Sequence, residues 1–275
     1  MKFKNRIFLI LISSFFLSLL IFIFQSNAIL SADNNNSLQK YNDNFDEYRK
    51  AYQEYIQSKN TYLTYKTLIS QNEALDKTKK LLEIRDDVLI SYYNLLKEKI
   101  NQTEGITPFE QTLKGNTIDT RIKFLEDHKM TISPIASLDD IVNKSKEIDK
   151  ISQEINIEAD KTIGAILVGK VRNNSDFLYK DLLEIKQIIS DIKSSGKDVT
   201  KLERWTLDIN TKYQLAVSKL DEAKSLFESL SQNEIYKEKQ DFAKAKKLTT
   251  EAHQYIKEAN FNAKEIINEI KYGPY

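Results

Sequence analysis

From residue 37 onward, apolar side chains recur at spacings of three and four, and the positions between them are Lys, Glu, Asp, Asn and Gln. That period places the apolar residues of each segment on one face of an α-helix. Leu75, Leu82, Leu89 and Leu96 repeat every seven, with Leu81, Val88 and Leu95 beside them. Ile141, Ile148 and Ile155 do the same, joined by Ile151. A third seam runs Leu202, Trp205, Ile209, Tyr213, Ala216, Leu220, Ala223, Phe227 and Leu230. A fourth runs Ala245, Leu248, Ala252, Tyr255, Ala259, Ile266 and Ile270.

Start and stop signals divide the pattern. Thr107-Pro108-Phe109-Glu110 combines an N-cap hydroxyl, proline at the first helical position and an acid three residues on. Ser137-Leu138-Asp139-Asp140, Thr200-Lys201-Leu202-Glu203 and Ser231-Gln232-Asn233-Glu234 are similar starts. Gly105, Ser133-Pro134, Ser194-Ser195-Gly196 and Gly273-Pro274 are stops. The predicted helices are 37–70, 73–102, 117–130, 137–172, 175–194, 199–230 and 233–271, with a helical turn at 108–114. Neither Gly nor Pro enforces a break near Ser70, so 37–70 and 73–102 can equally be one helix. Asn173-Asn174-Ser175 can equally be a kink.

A lone helix leaves its seam in water, and each buried Leu or Ile gains about 1.5–3 kcal/mol. The seams are therefore expected to find one another. The connection near Gln232 is short enough to demand an antiparallel hairpin. The expected fold is all-α: an elongated antiparallel, coiled-coil-like helical bundle over 37–275, with a sub-boundary near 131–136.

Residues 41–68 hold an aromatic stripe: Tyr41, Phe45, Tyr48, Tyr52, Tyr55 and Tyr62. Its phase matches the other seams, so the plain expectation is a shallow core with rings buried and hydroxyls reaching water. Lys59 falls at the next seam position, where its stem can lie along the seam with the ammonium outward. The functional alternative is a groove in which Tyr48, Tyr52, Tyr55 and Tyr62 line a binding surface for a sugar, a peptide or a partner helix.

The N-terminus differs from all of this. Lys2, Lys4 and Arg6 precede an uncharged stretch from Ile7 to Phe24. As a helix that stretch would span roughly 27 Å, near the thickness of a bilayer core. Ser26-Asn27-Ala28 offers small residues for signal peptidase cleavage. Residues 1–28 therefore read as a signal peptide or membrane anchor and 29–36 as a polar spacer. The expectation is export: anchoring through residues 7–24 with the C-terminal region outside the cytoplasm, or secretion if the chain is cleaved after Ala28.

Composition narrows the classes further. Of 275 residues, 29% are charged, with 6 Gly and 3 Pro, a balance suited to long helices. The formal charge is +1, and removing the three leading cations leaves about −2, which gives no large attraction to nucleic acid. Cysteine is absent, which excludes disulfides and thiolate chemistry. "GAILVGKV" (164–171) lacks the hydroxyl that ends a phosphate-binding loop and follows a polar helical stretch rather than a strand. Its two glycines read as allowing a kink or a close helix crossing. His128 and His253 carry no metal-ligand pattern and are expected at the surface. No nucleophile motif is present. The expectations are no enzyme, no cofactor and no metal. In their place stands a structural or protein-interaction role, with partners or copies of the chain meeting through the helical seams.

"NTYLTYKTLISQNEALDKTKKLLEIRDDVLISY" (60–92), followed by "FLEDHK" and "SLDDI", resembles a group of uncharacterised exported, signal-anchored helical proteins of small-genome bacteria. The resemblance implies an envelope location and a helical fold, and no activity.

Overall fold

The computed structural model describes residues 36–231 and 235–273. Their regular structure is entirely helical: α1 (Asn36–Tyr65), α2 (Leu68–Asn101), α3 (Pro108–Met130), α4 (Leu138–Ser194), α5 (Thr200–Ser229) and α6 (Ile235–Tyr272). The all-α expectation holds. The apolar run at 7–24, the cleavage signal ending at Ala28 and the start signal at 232–234 lie outside the described residues. Among the described residues, no helix is long and apolar enough to cross a membrane.

Three boundaries differ from the sequence pattern. The first break falls at Lys66-Thr67, before Ser70. Lys66 takes a left-handed conformation (φ 52°), which ends α1 without a glycine. Thr67 then opens α2: its Oγ1 accepts the Ser70 amide at 3.2 Å, while the Thr67 amide donates to Ser70 Oγ at 3.1 Å. This is a capping box with serine in the acid's place. Second, 108–114 and 117–130 are one helix. Gly115 costs about 1 kcal/mol inside it, and burial of Ile118 and Leu125 outweighs that. Third, Asn173-Asn174-Ser175 does not interrupt α4. The weak helix preference of these residues yields to buried Val171, Leu178 and Leu182 on either side.

Two of the predicted caps form. The Glu110 amide donates to Thr107 Oγ1 at 3.3 Å and the Asp140 amide to Ser137 Oγ at 3.1 Å. At α5 the predicted Thr200 cap does not form: Val199 is the N-cap residue and makes no side-chain cap, while Asp198 Oδ1 accepts both the amide and the hydroxyl of Thr200, at 2.9 and 2.7 Å.

The chain divides into two compact units. The first takes in the chain up to Leu95 together with Ile118–Ile155, so the 131–136 segment lies inside it. The second comprises Leu96–Thr117 and the chain from Asn156 onward.

In the first unit, Ala51 and Tyr55 of α1 pack on Leu81 and Ile84 of α2. Leu75 and Leu82 pack with Ile132 and Ile141. In the second, α5 and α6 lie antiparallel. Lys219–Glu251 (2.8 Å), Lys212–Glu258 (4.0 Å) and Lys201–Glu269 (2.9 Å) form a ladder in which each step back along α5 is matched by an equal step forward along α6. Ala216, Ala223, Ala245, Ala252 and Ala259 are fully buried, which permits a close approach of the helices.

The glycines of "GAILVGKV" serve close crossings. A methyl on Gly164 would stand 2.2 Å from the Phe227 ring, and one on Gly169 2.5 Å from Ile106. Across the same crossing, a methyl on Gly105 would lie 1.9 Å from the Gly169 carbonyl oxygen.

Candidate functional site

The aromatic stripe enters the first unit's core. Tyr41 and Tyr55 are buried, and Tyr48 and Tyr52 lean half-buried on the Ala51–Tyr55–Leu81–Ile84 cluster. Rings from Tyr41 through Phe45, Tyr48 and Tyr52 to Tyr55 follow one another with centroids 6.2–6.4 Å apart. Burial pushes the Tyr41 and Tyr55 phenols up to about 12. Tyr62 is half-buried further along α1. Lys59, half-buried at the next seam position, carries its ammonium 5.8 Å from the Tyr55 ring centroid.

The histidines separate. His253 is exposed. The surface expectation fails for His128, which is 3% exposed. Its Nδ1 lies 2.5 Å from Asp86 Oδ2, its Nε2 3.4 Å from the Lys144 carbonyl oxygen, and Phe124 stacks on the ring. Asp86 is 0% and Arg85 1% exposed, with Arg85 Nε 3.7 Å from Asp86 Oδ1. Among the described residues, Arg85 Nε and Nη2 and Asp86 Oδ1 find no hydrogen-bond partner. Burial raises the pKa of Tyr48 and Asp149, and the nearby Arg85 charge acts the other way on both.

No spacing pattern marks this cluster in the amino-acid sequence. Asp86 and Asp87 are adjacent acids in a chain with 40 Asp and Glu residues, and the distinction between them appears only in three dimensions. Asp87 is half-buried and takes Lys129 Nζ at 2.6 Å, while Asp86 turns inward. The chemistry available to the dyad is limited. Each imidazole nitrogen faces an acceptor, so neither is aimed at a hydroxyl that it could deprotonate. These contacts tie α2 to α3, through Asp86 and His128, and α3 to α4, through His128 and the Lys144 carbonyl.

The second unit holds a cleft of about 500 Å³, within the range that small-molecule sites occupy. The 104–108 loop, the start of α3, the middle of α4 and the end of α5 wall it. Several of its charges are paired: Lys224 Nζ lies 2.9 Å from Glu110 Oε2, and Arg172 Nη2 2.5 Å from Asp221 Oδ1. Lys114 and Lys161 share the same wall. Burial lowers the Lys114 pKa; Glu110 and Glu228 oppose that, and the charges of Lys161 and Lys224 add to it. Nothing in the sequence singles out these two lysines, because Lys and Arg recur along the polar faces of every helix. The usable signal was "GAILVGKV", whose glycines set the crossing that brings these walls together.

Among the described residues, no group of three or more His, Asp or Glu side chains could hold a metal ion. No protein-family model, curated protein or solved structure matches this chain.

Proposed function

We propose that the chain is an exported, envelope-associated helical bundle, elongated and antiparallel, that works by protein interaction rather than catalysis. Residues 7–24 tether it to the membrane, or cleavage after Ala28 releases it. The supporting sequence observation is the basic, apolar, small-residue order of the first 28 residues. The structural observation that carries an interaction role is the turn between α1 and α2. The helical seams are consumed in cores, yet Tyr65, Leu68 and Ile69 stand 70%, 72% and 81% exposed around Lys66, with Leu63 beside them. A cluster of large apolar side chains at a turn tip gains nothing for the fold it belongs to and suits a partner's surface.

The test is a photo-cross-linking residue at Ile69 in cells, followed by fractionation. The expected result is a discrete higher-mass adduct in the envelope or culture medium, absent when the same group replaces exposed Gln57. Recovery of the intact chain in the cytosol would refute export, and an Ile69 adduct pattern identical to that from position 57 would refute the tip.

A further inference from the structure

We propose that the cleft of the second unit binds a small solute through one compact oxyanion, held between Lys114 and Lys161. The inference rests on the cleft alone and stands whether or not the chain is exported. Lys224 and Arg172, on the same walls, each have a carboxylate within hydrogen-bond distance. Lys114 and Lys161 make no hydrogen bond or ion pair with any described residue, yet both are half-buried in the cleft lining. Two ammonium groups sharing a wall repel each other, and partial removal from water weakens the hydration that would otherwise offset this. A protein that needed only stability there would gain by pairing or replacing one of them.

An oxyanion seated between the two relieves both costs at once and makes charge-assisted hydrogen bonds. The carboxylates limit what enters. Glu110 and Glu228 flank the same lysines, so a polyanion meets repulsion as well as attraction. A single carboxylate or phosphate with hydrogen-bond donors beside it fits that balance. The apolar part of the floor, from Ala165, Val168 and Phe227, accommodates a short hydrocarbon portion.

The test is isothermal titration of the full chain with inorganic phosphate and, separately, with acetate, at constant ionic strength maintained with chloride. Saturable binding of at least one is expected. Phosphate alone assigns a phosphate ligand, acetate alone a carboxylate, and both support an oxyanion site. Lys114→Gln and Lys161→Gln each weaken the binding by at least about tenfold, the loss expected for one charge-assisted contact. Lys50→Gln, on the exposed face of α1, leaves it unchanged. In the absence of any added oxyanion, Lys114→Gln is more heat-stable than the parent, and phosphate or acetate stabilises only the parent. Should Lys114→Gln fail to fold, Lys161→Gln carries the same comparison. No saturable binding of either anion, or binding unchanged in a folded lysine variant, overturns the proposal.

Discussion

Asp160 offers a direct measurement of what burial costs in the second unit. It lies half-buried on α4, near Glu238 in the first turn of α6. Burial first, and the Glu238 charge second, raise its pKa from 3.8 to about 7. The folded state therefore holds the Asp160 proton more tightly than the unfolded chain does. Stability from this group is fully present below pH 4 and is lost as pH rises through about 7. A shift of this size corresponds to at most about 4 kcal/mol, reduced to roughly half if residual solvent contact screens the charge.

Asp160→Asn removes the titration and keeps the shape. Urea unfolding followed by the fluorescence of Trp205, the chain's single tryptophan, reports on this unit through α5. Near pH 4 the variant and the parent should unfold at similar urea concentrations. Near pH 8 the variant should be more stable by about 2–4 kcal/mol. A difference that stays constant between the two pH values, or a variant less stable at pH 8, would refute the assignment.

Four further outcomes follow from the packing. Gly105→Ala should cost about 3 kcal/mol, because the new methyl meets backbone. Gly115→Ala, with open space around its Cβ, should add about 1 kcal/mol of stability; equal effects in denaturant melts would contradict the close crossing. Asp86→Asn should destabilise the first unit by about 3–5 kcal/mol by leaving Arg85 and His128 without their carboxylate, read by circular dichroism in denaturant; a change below 1 kcal/mol, within the range of an exposed pair, would argue against a buried network. In a phenolate absorbance titration, Tyr41 and Tyr55 should remain protonated past the ordinary tyrosine value of 10.0 and ionise near 12. Both phenols are held up by folding, so stability from them is present below pH 10 and fades as pH rises through about 12; tyrosines that all titrate together near 10 would place the stripe in water.

How much of this was legible in the sequence depends on whether the governing interaction was local. The seams were legible because a three-and-four spacing has one solution on a helix, and Leu82, Ile141, Ile209 and Ala252 are buried where the pattern put them. Caps at Thr107 and Ser137 were legible because each spans four residues. The cap at Thr67 was as local, but serine stood where an acid is the usual sign. The chain runs helical through Gly115, where the pattern suggests a division, and through Asn173–Ser175, where it leaves break or kink open, because intrinsic preferences of a fraction of a kcal/mol to about 1 kcal/mol yield to burial on either side. The Arg85–Asp86–His128 cluster and the Lys114–Lys161 wall were not legible. Each depends on which polar residue of a helix turns inward once another helix has docked, and periodicity does not encode that choice.

The crossing at Gly105 and Gly169 constrains how this chain can change over generations. At 169 the obstruction is side chain, from Ile106 and Thr103, so a second substitution that trims either neighbour can restore room. At 105 the obstruction is main chain, which no exchange of amino acid can shorten. Drift can therefore explore 169 in company with 106 or 103, whereas 105 stays glycine for as long as the loop and α4 keep this contact. Descendant sequences that carry a side chain at 105 should have abandoned the crossing, and the cleft built on it.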